Sequence, residues 1–410
     1  MKTVYIAIPA MNEKDYLFLS LDCIAKQQCD CPLKVFICVN QPDSWWEDEK
    51  KITVCQNNQQ TIALLQNYKN LQIEIIDCSS KGKGWKDKKN GVGKARKELT
   101  NKILSIASDN DIFISMDADT LFEPDYCQSV VKNFRSHPSA VGMAVPYCHK
   151  MNHSEIENRA MLRYELYMRN YNLHLLQIGS PYAYTALGSA ICSTVKACKA
   201  VGGFDSQTSG EDFYFLQKLC KYGNILRYNS SKVYPATRFS FRVPFGTGPA
   251  MYSGSQGDWN SYPIFHHSGF NIIEQVYKQI ERLFYEDFEN EFLHFLNTIF
   301  SCENSWEPLR KNYKTLPLFT KAFHTKADGL KVFQFLRQHQ RKLQKPDEKC
   351  FLENMQYAYP EKITDLFPEN ESFSFEKASL EQLDNLRNFF MEQETIYQKQ
   401  SDKNLLNNTI

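Results

Sequence analysis

Two carboxylates one residue apart, Asp117 and Asp119, close the apolar run Phe113-Ile-Ser-Met116. In an extended segment alternate side chains share a face, so this pair can converge on one hard cation, or on a cation and a ribose. A second acidic pair, Glu211-Asp212, follows Gly210 at a helix start. The positive end of a helix dipole favours their ionised form, and an ionised carboxylate beside a bound substrate is a general base. Asn12-Glu13 ends another apolar run, Ile8-Pro9-Ala-Met11. The lysine-rich stretch Lys81 to Lys97 contains Gly91, Gly93 and Arg96, offering backbone N–H groups and positive charge to a phosphate. It is not a Walker A loop, because Ala95 stands where Ser or Thr would hold magnesium. Arg238 and Arg242, four apart, suit a diphosphate or an anionic acceptor, and equally suit structural pairing with carboxylates. Each feature has a plainer reading alone: a polar turn, a helix cap at Asn12, charge complementation of a helix start, a solvated loop.

The elements that must position these residues follow from the apolar pattern. Thr3 to Pro9, Leu33 to Val39, Leu71 to Ile76 and Asp111 to Met116 read as strands. Asn12 to Gln28, Ile52 to Tyr68 and Val92 to Ala107 read as helices between them. Strands separated by helices predict an α/β fold with a mostly parallel sheet, and ligands of such sheets sit at the carboxyl ends of the strands. Asn12, Asp117 and Asp119 lie there. Beyond this come a strand at Ala140 to Pro146 and a helix opened by the capping box Ser154/Glu157. Apolar Ala186 to Ser193, helices over Thr194 to Val201 and Glu211 to Tyr222, and a strand at Lys232 to Tyr234 complete this part. Pro235 to Gly269, rich in Gly, Pro, Ser and aromatics, is a functional loop region or a boundary. From Asn271 the texture is helical, as in Ile273, Val276, Ile280 and Leu283. This divides the chain into a catalytic region, 1–269, and an α-rich region, 270–410, whose polar end from Lys403 is expected to fray.

Composition bounds the function. At 410 residues, 42% hydrophobic and 23% charged, the chain is a folded protein of two or three domains. A formal charge of +1 lacks the global field of a nucleic-acid binder. Thirteen cysteines, an odd count with no signal-peptide pattern ahead, read as reduced thiols in a cytoplasmic protein. No apolar run approaches the ~20 residues that span a bilayer, so a membrane's inner face can be met only peripherally.

In order along the chain, Ile8-Pro-Ala-Met-Asn-Glu13, the Gly-x-x-Ala-Arg element ending at Arg96, Met116-Asp-Ala-Asp119, Gly188-Ser-Ala, Val201-Gly-Gly-Phe-Asp205 and Gly210-Glu-Asp212 resemble the family 2 glycosyltransferases. The resemblance covers roughly residues 1 to 245. It implies a GT-A fold, Rossmann-like with a mixed, mostly parallel sheet, and a hexosyl transfer from a UDP- or GDP-linked sugar to a glycan or lipid-linked acceptor, as in polysaccharide biosynthesis. It implies that Pro9, Asn12, Glu13 and Asp77 lie against the nucleotide, with Arg96 near the nucleotide or its phosphates and Gly188 at the substrate. Asp117 would bind ribose or metal, Asp119 would ligate Mn²⁺ or Mg²⁺, and Asp212 would be the base, with Glu211 beside it. A further metal ligand in such enzymes is sometimes a His downstream of the base, for which His266 and His267 are the candidates.

The chain departs from the family where an Asp-rich turn commonly follows the second strand, since here Val39 leads into Asn40-Gln-Pro-Asp43. Trp45, Trp46, Trp85, Tyr182, Tyr184 and Trp259 stand in expected loops, where flat rings can stack on sugars. Two other readings compete. A sugar-nucleotide nucleotidyltransferase would need a Gly-rich loop after the first strand, and Pro9 to Glu13 has no Gly. A catalytically silent sugar-binding scaffold would have no need of Asp117, Asp119 and Asp212 together.

Overall fold

Val4–Ala10 (β1) buries every one of its seven side chains, as a parallel strand covered on both faces must. Leu33–Asn40 (β2) pairs with it in parallel, and Ile73–Cys78 (β3) pairs in parallel with β2. On the other edge of β1 lies Ile112–Ser115 (β4), again parallel. The helices Lys14–Ala25 (α1), Ile52–Asn67 (α2) and Val92–Leu104 (α3) form the crossovers. These assignments come from a computed structural model that describes residues 3–86, 91–239, 246–302, 305–367 and 373–407.

After β4 the chain makes the short strand Leu121–Phe122 (β5), helix Tyr126–Ser136 (α4), strand Ala140–Ala144 (β6) and the long helix Glu155–Gln177 (α5). Strand Ile191–Thr194 (β7) then inserts antiparallel between β4 and β6. Helices Val195–Ala200 (α6) and Glu211–Tyr222 (α7) precede Asn224–Leu226 (β8), parallel to β6, and Val233–Tyr234 (β9), which pairs with β5. The sheet order is β3-β2-β1-β4-β7-β6-β8. This mixed, mostly parallel sheet with flanking helices is the GT-A architecture that the motif series implies.

Two compact units interleave along the sequence: 1–157, 186–252 and 399–410 form one, and 158–185 with 253–398 form the other. The expected single cut near 269 differs from this, because most of α5 belongs with the later helices. The second unit is helical throughout. After Thr247–Ser255 (α8), which straddles the division, come His267–Lys278 (α9), Ile280–Tyr285 (α10), Glu291–Ile299 (α11), Glu307–Asn312 (α12) and Leu316–Lys326 (α13). Gly329–Leu343 (α14), Asp347–Ala358 (α15), Ile363–Leu366 (α16) and the part of Leu380–Asn407 (α17) before residue 399 complete it, the end of α17 belonging to the first unit. Its core includes Phe292, Trp306, Phe319 and Phe323, all buried. It also buries charge: Arg169 binds Glu165 at 2.7 Å and also Glu394, and Arg163 binds Asp347 at 2.5 Å.

Three local expectations change. The helix predicted from Asn12 starts at Lys14, because Asn12 takes a left-handed φ of 58° and donates its N–H to Asn58 Oδ1 instead of capping. The capping box is half made: Ser154 Oγ accepts the Glu157 N–H at 3.3 Å, while the Glu157 carboxylate accepts from Asn152 and the Phe239 N–H. The polar C-terminus does not fray at Lys403. The buried Asp402 carboxylate accepts the Arg227 and Tyr228 N–H groups at 3.0 and 2.9 Å, which anchors the last turns of α17 to the strand end after β8.

Candidate active site

The sheet order reverses between β1 and β4, so a crevice opens at their carboxyl ends, the usual place for a ligand in a doubly wound sheet. Ala7 lies opposite Ser115, so Ala10 to Glu13 and Met116 to Asp119 leave the sheet side by side. The buried Ser20 hydroxyl of α1 is shared between the carbonyls of Ala118 and Thr120, at 2.9 and 2.8 Å, and holds the acidic turn in place. Asn58, 1% exposed, ties the Asn12 N–H to the end of β2 through bonds to Asn40 and Gln41.

Arg96 is the hub of this crevice. Its guanidinium donates from Nε to Glu211 Oε1 at 3.0 Å, from Nη1 to Ser115 Oγ at 2.5 Å and from Nη2 to Asp117 Oδ1 at 2.5 Å. It is only 3% exposed, with the Phe204 ring 5.6 Å away. Three of its five N–H donors thus hold Glu211, Ser115 and Asp117 in place. Gly188 serves the same hub, since a Cβ there would lie 2.0 Å from Arg96 Nη2. Gly93 likewise admits the Gln207 carbonyl, 2.0 Å from where its Cβ would be, which seats α3 against the loop leading to α7.

A second cluster lies on the same turn. Arg238 donates from Nε and Nη2 to Asp119 Oδ2, at 2.9 and 2.5 Å, and from Nη2 to Glu13 Oε1 at 2.6 Å. Pairing with carboxylates, one of the two uses anticipated for Arg238, is thus what this geometry contains. Its companion Arg242 falls outside the described residues.

Asp212 opens α7 beside Glu211, and Gly210 at φ 75° makes the turn into that helix. Burial, then the neighbouring Glu211 charge, push the Asp212 carboxyl up to about 7, against the opposing pull of Arg96 and the Phe213 N–H. At Asp212 desolvation and like charge outweigh the preference of the helix dipole for the ionised form. Glu211 itself is 4% exposed and bound to Arg96, so it orients and does not reach a substrate.

Other anticipated residues lie apart from these clusters. Asp77 sits inside β3, where its carboxylate accepts from Ser79, Ser80 and Lys83. Burial opposes ionisation there, yet the Ser80 hydrogen bonds win and bring it down to about 2. Pro9 is buried within β1, next to Cys38 of β2. His266 and His267 belong to the helical unit. Both His266 ring nitrogens are engaged, by Ser268 and by Glu353 at 2.7 Å, and the His267 ring stacks on Tyr357 at 4.2 Å. Tyr182 and Tyr184 are 4% and 6% exposed and so offer no face to a sugar. Ser20, Asn58 and Ser115 escaped the sequence reading, although a serine in the apolar run of β4 was a usable signal.

Among the described residues no three His, Cys, Asp or Glu side chains converge as an all-protein metal cage. A Mg²⁺-like ion needs none: one or two carboxylates complete its shell together with substrate phosphates. Asp117 and Asp119 supply hard oxygen donors of that kind. Arg238, seated on Asp119 and Glu13, marks the place as one that holds positive charge. The residues fit a divalent cation.

The sequence profile described as Glycosyl transferase family 2 matches residues 5–187, and that of Glycosyl transferase family group 2 matches residues 112–296. The chain belongs to the family 2 glycosyltransferases. It is a glycosyltransferase enzyme. No curated protein sequence matches it. Among solved structures it is similar to S. aureus TarS 1–349 in complex with UDP-GlcNAc, at 14% identity and a TM-score of 0.41, covering 87% of this chain and 91% of that one. It is also similar to the mannosyltransferase PcManGT from Pyrobaculum calidifontis in complex with GDP-Man and Mn²⁺, at 16% identity and a TM-score of 0.38, covering 89% and 87%. No helix among the described residues is long and apolar enough to cross a membrane.

Proposed function

We propose that this family 2 enzyme is an inverting, divalent-cation-dependent transferase. It moves a hexosyl unit from a UDP- or GDP-linked sugar to a hydroxyl of a glycan or lipid-linked acceptor. The observation that carries the reading is Arg96, which links the acidic turn after β4 to the start of α7, so that Asp117 and Asp212 belong to one charged crevice.

In a single displacement the acceptor oxygen bonds to the sugar's anomeric carbon as the carbon–oxygen bond to the diphosphate breaks. The bonding pair leaves with the nucleoside diphosphate, and the acceptor's proton passes to an Asp212 carboxylate oxygen. Attack from the side opposite the leaving group inverts the anomeric carbon. A carboxyl near 7 is poised for this, because it is half ionised at neutral pH and still basic enough to accept a proton. Arg96 keeps Asp117 and Glu211 in fixed positions. Asp117 and Asp119 are the residues that would hold Mn²⁺ or Mg²⁺, which when bound neutralises charge building on the diphosphate. Pro9, Asn12 and Glu13, at the end of β1, are the donor's expected neighbours. We place the protein in the cytoplasm on the strength of its thirteen cysteines, read as reduced thiols.

A thermal-shift panel of UDP, GDP, CMP and their sugars, with and without Mn²⁺, tests the donor and cation together, since a ligand of the native state raises its apparent stability. One nucleotide series is expected to stabilise the wild type strongly only with Mn²⁺, and Asp119→Ala to lose that dependence. Donor binding indifferent to chelator and to Asp119→Ala would remove the cation from the mechanism.

A further inference from the structure

Arg238 sits on the oxygens that a cation would use. Its two donors to Asp119 Oδ2 and its bond to Glu13 Oε1 make one guanidinium serve two carboxylates. The Tyr16 ring lies 4.2 Å from its central carbon and supplies a π-face as a further seat for positive charge. Glu13 and Asp119 side chains are 5% and 15% exposed, so neither acid is well solvated on its own. A buried carboxylate without a counter-charge is costly, and a guanidinium already in place removes that cost. Asp119 Oδ2 already accepts two guanidinium N–H groups, so a divalent ion that takes this oxygen must displace at least one of them, against the repulsion of two cations at contact distance.

We infer that Arg238 is the resident counter-cation of the Asp119–Glu13 pair, which a divalent ion must displace, so that cation and donor load together. Displacement alone strands the guanidinium. A nucleoside diphosphate relieves this, because it gives the planar fork a new anion to bind while its own oxygens complete the shell of the ion. Cation affinity is therefore low in the free enzyme and rises with nucleotide. By linkage the nucleotide gains from the cation by the same factor. The inference rests on the reading of Asp117 and Asp119 as cation ligands.

The test is Mn²⁺ binding to the full chain, followed by the loss of the free-ion electron paramagnetic resonance signal, alone and with UDP or GDP. The wild type is expected to bind Mn²⁺ weakly alone and much more tightly with one nucleotide. Arg238→Gln is expected to bind Mn²⁺ alone about tenfold more tightly than the wild type, the worth of about one charge-assisted hydrogen bond. Its gain on adding nucleotide shrinks correspondingly. Arg238→Lys keeps the charge without the fork and should fall between the two, and it carries the test if the Gln variant fails to fold. Equal Mn²⁺ affinities for all three proteins, in a site that still needs Asp119, overturn the inference and leave the cation reading standing. No Mn²⁺ binding by any of them, with either nucleotide, overturns both.

Discussion

Arginine is buried against carboxylates in both units, yet the two arrangements differ in what they leave over. In the helical unit Arg169 answers Glu165 and Glu394, Arg163 answers Asp347, and Arg387 lies against Glu165 and Asp384. There four acids meet three arginines. In the sheet unit Arg96 faces Asp117, Glu211 and Asp212, while Arg238 is divided between Asp119 and Glu13. Here five acids meet only two guanidiniums, and the larger surplus is felt at Asp212, whose carboxyl is pushed up to about 7. Stability alone favours the first arrangement. A crevice with negative charge to spare is suited to holding a cation and accepting a proton, and the fold bears the cost there.

The contrast can be broken most directly at Asp212. Asp212→Asn is expected to lower sugar transfer by about 10²- to 10⁴-fold, measured as product formed per enzyme, with nucleotide binding by calorimetry retained. A variant with the wild-type rate would show that the surplus has no catalytic use. Next in size are the two arginine hubs. Arg96→Met and Arg169→Met each strand two acids and should each cost about 3–5 kcal/mol in urea unfolding. Only Arg96→Met, assayed under conditions where it stays folded, should also lose transfer activity; equal losses in both variants would erase the distinction between the units.

Acidity sharpens the comparison further. The Asp212 carboxyl is raised above the ordinary aspartate value, so the folded protein binds that proton more tightly than the unfolded chain. Its contribution to stability therefore falls as pH climbs from the ordinary value to about 7, while the ionised base, and with it the transfer rate, rises over the same window. Asp212→Asn should accordingly melt above the wild type at pH 8, with a smaller difference at pH 5, as read by thermal scans. The smallest effect is expected at His266. Its ring nitrogen caps α9 by accepting the Ser268 N–H, so His266→Ala should cost about 1 kcal/mol and leave Mn²⁺ binding unchanged. Loss of Mn²⁺ binding in that variant would return His266 to the ligand set.

Much of the sheet was legible because its strands are apolar on both faces: β1 and β4 read as continuous hydrophobic runs within a residue or so of their ends. Helix α7 was legible over its whole length from Glu211 to Tyr222. Errors gathered where long-range contacts decide. Asn12 looked like a cap until Asn58, in another helix, claimed its N–H. The C-terminal tail looked frayed because nothing nearby in sequence marks Asp402 as the acceptor for Arg227 and Tyr228. Most of α5 looked continuous with the sheet region, yet its packing partners lie far along the chain, as Arg169 with Glu394 shows.

By itself the sequence determined which residue types stand at strand ends and helix starts, because hydrophobic period and turn chemistry are local properties. It therefore supplied the α/β class, the acidic turn at Asp117 and Asp119, and the pair at Glu211 and Asp212. Tertiary structure alone decided what those residues do to one another. Arg96 is a buried hub because its partners stand on other elements. Asp212 changes from an ordinary carboxylate to one near neutrality because desolvation and neighbouring charge depend on distance in space. Charge interactions add up over every group within reach, and no spacing in a linear chain reveals which groups those will be.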